Sequence, residues 1–261
     1  MFHNPYLAKI FMSRIIAFFN QSGGVGKTTL TMNIGYQLAD LGRKVLLVDM
    51  DPQGSLTAFM GLEPMDLETT IYDAVVHQNE LMLYQDLHGM DLAPSSIELC
   101  RAEMELAAAL MREQRLKNAL ASASESYDFI LIDCPPSLGI LSVMSLVTAT
   151  HVMIPIQTEF KALKGTELLV RTILEIMQVA NKKLKIAGMV PTMFDGRTTQ
   201  ANQSLESIKA IAEQVGPIMP TIPRKTDFAN ASQAQMPLAL YAPQSPAVSV
   251  LKEIAVKMDT L

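Results

Sequence analysis

Asn20-Gln21-Ser22-Gly23-Gly24-Val25-Gly26-Lys27-Thr28-Thr29 decides the fold, because of what stands on either side of it. Upstream, Arg14–Phe19 is a short apolar run that reads as a strand; downstream, Lys27–Leu41 carries helical periodicity. A glycine-rich turn between them can wrap backbone N–H groups around an anion, since glycine adopts conformations that a Cβ forbids. The helix that follows presents its positive N-terminal end to the same anion. Gly23, Gly24, Val25, Gly26 and Thr29 supply this cradle. Lys27 is placed to neutralise the β- and γ-phosphates of a nucleotide, and the Thr28 hydroxyl to ligate Mg²⁺. A flexible turn with a chance Lys-Thr would lack the strand before it and the helix after it.

Working outward, two more strands end in carboxylates. Val45-Leu46-Leu47-Val48-Asp49-Met50-Asp51-Pro52-Gln53-Gly54 closes one with two acids, a residue apart. Beyond a strand end both can reach a phosphate site, one ordering a metal's water shell and the other orienting or deprotonating an attacking water. Phe129-Ile130-Leu131-Ile132-Asp133 is a second buried strand, and Asp133 is expected to hold Mg²⁺ through water, since this ion keeps much of its hydration.

The rest of the chain alternates in the same way. Strands are expected at Lys44–Asp49, Met90–Ala93, Phe129–Asp133, His151–Ile156, Ile186–Pro191 and, briefly, Ile218–Pro220. Helices are expected at Ile97–Leu110, Gln114–Ala123, Leu138–Ala149, Leu163–Val179, Gln200–Val215 and Ala247–Met258. This order predicts an α/β fold, a mostly parallel twisted sheet with helices on both faces, as in P-loop NTPases. Residues 13–261 read as a single domain and residues 1–12 as a flexible extension. Hydrophobic residues make up 49% of the 261, which excludes a disordered chain. Cys100 and Cys134 have no metal-ligand spacing and read as buried thiols in a reducing compartment; the methionines read as core filling. No apolar run is long enough for a membrane span, and the N-terminus does not read as a signal peptide. The net charge of −5 is uneven: residues 150–261 carry 12 basic and 9 acidic side chains.

GGVGKTT, VLLVDMDPQGS and ILIDCPPSLG resemble the motifs of ParA/MinD-type ATPases, and Pro155-Ile156-Gln157-Thr158-Glu159 and Thr221-Ile222-Pro223-Arg224 look like the same family. The resemblance implies Mg·ATP binding, slow hydrolysis and an ATP-bound homodimer in which each loop faces the other subunit's phosphates. It ties Asp51 to hydrolysis, makes Asp49 its metal-side neighbour, and puts Met193 and Pro223 against the adenine. It also implies non-specific DNA binding by basic residues of the C-terminal half, for which Arg171, Lys182, Lys183, Arg197, Arg224 and Lys225 are candidates, with Lys185 and Lys209 beside them. A cargo adaptor, ParB-like or McdB-like, would complete the system, in the cytoplasm and on the nucleoid. The C-terminal helix lacks the basic amphipathic tail of a MinD-like membrane binder, so no membrane partner is expected.

One position departs from the family. A signature lysine normally precedes the first motif glycine, and here it is Ser22. Either dimerisation is lost or another cation replaces that lysine; Lys161 is the candidate and Lys164 the reserve. A serine here with a compensating distant lysine resembles the ParA-like ATPases that position carboxysomes. Plasmid or chromosome partition is the alternative, and an ATP-dependent binding module with negligible hydrolysis the alternative of a different class.

Overall fold

β1 (Arg14–Phe18) leads into α1 (Lys27–Asp40), β2 (Val45–Asp49), α2 (Ser55–Phe59), β3 (Tyr84–Leu87), β4 (Met90–Ala93), α3 (Ala102–Glu105), α4 (Arg115–Ala119) and β5 (Phe129–Asp133). The chain continues through α5 (Ile140–Thr148), β6 (His151–Gln157), α6 (Phe160–Val179), β7 (Lys185–Thr192), α7 (Thr199–Val215), α8 (Asp227–Gln233), α9 (Leu238–Tyr241) and α10 (Pro246–Asp259). This computed structural model describes residues 13–261, with the backbone alone for residues 160–164. The expected extension over residues 1–12 lies outside the described residues.

The strands form one seven-stranded sheet in the order β3-β4-β2-β5-β1-β6-β7. All pairs are parallel except β3 with β4. Alternate residues of a strand face opposite sides. β1 therefore sends Ile15 and Ala17 into one core and Ile16 and Phe18 into the other. The first core is closed by α5, α6 and α7 through Met144, Ile173 and Ile208; the second by α1 and α10 through Leu38 and Leu251. With both faces covered, β2 and β5 are buried along their whole length, which is why they read as unbroken apolar runs. From β1 the chain leaves toward β2 on one side, while β6 lies on the other. The carboxyl end of β1 is thus the topological switch point, where ligands bind in such sheets.

Several expectations are corrected. β3 has the sequence Tyr-Gln-Asp-Leu and is an edge strand with no apolar alternation to announce it. Ile218–Pro220 forms only a single bridge, Met189 with Ile218, since Pro217 and Pro220 cannot donate to a ladder. The helix expected over Ile97–Leu110 shrinks to a 3-10 turn and α3, leaving Ile97, Met104 and Leu110 exposed. The one expected over Gln114–Ala123 shrinks to α4 between two 3-10 turns. Cys134 is buried as expected, whereas Cys100 is exposed on that first turn. Met65, Met82 and Met111 also face outward rather than filling the core. Among the described residues, no helix is long and apolar enough to cross a membrane.

Candidate nucleotide site

The loop between β1 and α1 takes its shape from two left-handed glycines, Gly24 (φ 72°) and Gly26 (φ 94°), the latter capping α1. No side chain caps that helix, so its first-turn N–H groups remain available to a ligand. Two buried side chains strap the loop to the sheet. Asn20 Nδ2 donates to the Pro155 carbonyl (2.7 Å), and its Oδ1 accepts from Ser22 N (2.9 Å). Thr192 Oγ1, on β7, donates to the Val25 carbonyl (2.9 Å). Asn20 heads the loop without a role that its sequence position assigns, and nothing local in the sequence marks Thr192. Lys27 is only 6% exposed and arches back over the loop, its Nζ donating to the Ser22 carbonyl (2.9 Å). Burial pushes its pKa below the ordinary lysine range; the nearby charges of Asp133 and Asp51 pull it back up.

Asp49 and Asp133 end the adjacent strands β2 and β5, directly opposite each other, and both are fully buried. Asp49 is engaged on both oxygens: Oδ1 accepts from Asp51 N (3.1 Å), and Oδ2 from Thr57 N (2.9 Å) and Thr57 Oγ1 (2.8 Å). Burial lifts its pKa to about 7 in spite of these bonds, with the Asp51 charge adding to the rise. The structure thus places Asp49 as the anchor of the 49–57 loop, and its three hydrogen bonds leave acceptor capacity on Oδ1 for a metal's water.

Asp133 is the contrast. Neither of its oxygens accepts a hydrogen bond of good geometry, although both are buried. Burial, then the Asp49 carboxylate, hold its pKa well above the ordinary range, while the Thr28 hydroxyl and Lys27 lie close enough to favour the charged form. An orphaned carboxylate beside a hydroxyl, under a loop of free N–H groups, is an all-oxygen donor set of the kind a hydrated Mg²⁺ prefers. The residues present fit that ion.

A cavity of about 280 Å³ is lined by Gly23, Gly24, Gly26, Lys27, Thr28, Thr29, Asp51 and Met193 among others; Asp49 and Asp133 do not line it. The residues expected around the phosphates are therefore brought together. An adjoining cavity of about 840 Å³ shares Gly26, Thr29, Phe59 and Met193 with it and includes Pro223. The two expected adenine walls face one space because Phe194 and Pro223 form a bridge, with Phe194 N donating to Ile222 O (3.0 Å) and Arg224 N to Phe194 O (3.0 Å). Val25, also expected at the ligand, is buried and lines neither cavity.

The basic residues do not form one surface. Arg224 and Lys225 line the larger cavity. Arg171, Arg197 and Lys209 are paired on the surface with Glu175, Asp195 and Glu206. Lys182, Lys183 and Lys185 are exposed, without an ion pair among the described residues, at the amino end of β7. That is the sheet edge opposite the phosphate loop. His151 beside them has its pKa lowered, first by burial and then by Lys185 and Arg14. Lys161 and Lys164 fall in the first turn of α6, and their side chains lie outside the described residues.

A glycine loop opening onto a helix N-terminus, a buried lysine and a buried strand-end aspartate at the switch point define a phosphate-binding site of the P-loop class. Residues 13–186 match the family described as AAA domain, and the chain belongs to it, among the ParA/MinD-type P-loop ATPases. It is 38% identical over 249 residues to the chromosome-partitioning ATPase Soj of Treponema pallidum, covering 94% of this chain and 96% of that protein. Among solved structures, cobyrinic acid a,c-diamide synthase from Mycobacterium smegmatis, with bound ATP analogue and magnesium, superposes with a TM-score of 0.83 at 36% identity, covering 94% of this chain and 93% of that one. The ATP complex of McdA from Cyanothece superposes with a TM-score of 0.85 over 95% of this chain and 97% of that one. At 22% identity, that is a likeness of fold alone.

Proposed function

We propose that the chain is a Mg²⁺-dependent ATPase that binds ATP on the Lys27 loop, dimerises over it, and in that state holds DNA without regard to sequence. The observation that carries this reading is Asp133, a buried carboxylate with no hydrogen bond of good geometry, close to the Lys27 and Thr28 that line the smaller of two adjoining cavities. The triphosphate takes the smaller cavity and the nucleoside the larger, against Met193 and Pro223. Lys27 exchanges the Ser22 carbonyl for the β- and γ-phosphates. Thr28 and Asp133 would hold Mg²⁺, which would supply further neutralisation of the phosphates. Asp51 orients the water that attacks the γ-phosphorus; the bond to the bridging oxygen breaks, leaving ADP and phosphate. The Mycobacterium smegmatis relative, solved with an ATP analogue and magnesium, supports the choice of ligands.

DNA is assigned to the amino edge of the sheet, where Lys182, Lys183 and Lys185 are unpaired among the described residues. Two such edges in a dimer double the phosphate contacts, and the binding is driven by counterion release. The setting is the nucleoid. The relative named as a chromosome-partitioning ATPase favours partition, with a ParB-like adaptor. Ser22 favours the second cargo, carboxysomes with an McdB-like adaptor, in which Lys161 replaces the missing signature lysine; the gene adjacent to this one separates the two. Calorimetry and phosphate release test the enzyme itself. Lys27→Ala should lose ATP binding, and Asp51→Ala should bind ATP but not turn it over. Retained affinity in the first variant or wild-type turnover in the second overturns the assignment.

A further inference from the structure

α2 is only five residues long, yet it is tied down twice. Gly54, its left-handed N-cap (φ 63°), packs so close to Pro64 that a Cβ there would come within 2.9 Å of that ring. Thr57, in its middle, donates its N–H and its hydroxyl to Asp49, and the hydroxyl also accepts from Ser95 N (2.9 Å). Its first residue, Ser55, lines the phosphate cavity together with Asp51. Its last, Phe59, is half-buried and lines both cavities, at the place where they meet. One short rigid element therefore joins the loop that carries Asp51 to the seam between the phosphate and nucleoside spaces.

We propose that Phe59 is a positioning residue: the nucleoside half of bound ATP packs against its ring and, acting through the anchored α2, sets Asp51 against the terminal phosphate. This rests on the ATPase reading and deepens it, because hydrolysis then responds to the base as well as to the phosphates. Purine and phenyl faces pack favourably in offset or edge-on arrangements, so the ring offers an apolar contact that a full nucleotide reaches. Inorganic tripolyphosphate fills the smaller cavity only and has no nucleoside to pack against the ring.

The experiment compares wild type, Phe59→Ala and Phe59→Leu with Mg·ATP and with Mg·tripolyphosphate, by calorimetry, single-turnover hydrolysis and amide hydrogen exchange. At saturating ATP, Phe59→Ala should hydrolyse up to about a hundredfold more slowly, the loss expected when a reacting group is misplaced by about 1 Å. Its tripolyphosphate affinity should fall less than its ATP affinity, and Phe59→Leu, which keeps apolar bulk, should recover most of the rate. ATP should protect the amides of residues 51–59 in wild type, but only those of the 22–29 loop in Phe59→Ala. Wild-type turnover by Phe59→Ala at saturating ATP, with only KM raised, would make the ring a wall and overturn the proposal. So would equal protection of residues 51–59 by tripolyphosphate and ATP in the wild-type protein, a comparison that needs no variant to fold. Wild type that binds neither ligand overturns the ATPase reading itself, and this inference with it.

Discussion

Asp133→Asn should make the nucleotide-free protein more stable while removing its response to Mg·ATP. Both Asp133 oxygens are buried without a hydrogen bond, one strand away from the buried Asp49, and Lys27 is the cation nearby. A buried polar group left unsatisfied costs about 1–3 kcal/mol, and a charged one more. The amide keeps the shape and removes the charge facing Asp49. A gain of about 1–2 kcal/mol follows, or about 2–8 °C in unfolding midpoint for a chain of this size. The gain should depend on pH. The fold raises the Asp133 pKa above its usual 3.8, so the native state favours the protonated acid. Stability contributed by that proton is fully present below the unfolded value and is lost as pH rises through the folded one. The variant's advantage should therefore be absent at and below about pH 4 and larger at about pH 8 than at about pH 5. In wild type, Mg·ATP at about a hundred times its dissociation constant adds about 2.7 kcal/mol, and most of that should vanish in the variant. Calorimetric melting in chelator, then with Mg·ATP, reads both effects. A variant that melts below wild type in chelator at the higher pH, or that keeps the full ligand shift, refutes the reasoning.

Thr57→Val removes the hydroxyl that donates to Asp49 and leaves Ser95 N–H unpaired in the interior, which should cost about 3–5 kcal/mol. Urea titration checks it, and a loss below about 1 kcal/mol would mean the loop anchor is not Thr57. Lys161→Ala should bind ATP as a monomer but fail to dimerise; light scattering that shows an undiminished dimer sinks this, and a dimer broken only by Lys164→Ala moves the role to that residue. Changing Lys182 and Lys183 together to Glu should weaken ATP-dependent DNA binding for every sequence and lower the salt slope by about two per protomer. An unchanged slope removes the amino edge of β7 from the interface.

The sequence alone determined what is local or fully buried. The phosphate loop was legible because strand, glycines, lysine and helix are consecutive, and left-handed Gly24 and Gly26 are the residues such a turn needs. β2 and β5 were legible because burial on both faces leaves an apolar run, and Asp49, Asp51 and Asp133 stood out at or just past the ends of those runs. Edge strand β3 and the short helices α2, α8 and α9 carried too few buried positions to show a period. Tertiary structure decided which polar groups meet. Asn20 finds Pro155 at a separation of 135 residues and Thr192 finds Val25 at 167, contacts that exist only once β6 and β7 have docked beside β1. It also gave the two strand-end aspartates different tasks, occupying Asp49 with Thr57 and leaving Asp133 open. It divided the basic residues as well, setting Arg224 and Lys225 by the nucleoside cavity and Lys182, Lys183 and Lys185 at the opposite edge of the sheet. Spacing along the chain carries no such information, because direction is assigned only when each element is placed on the sheet.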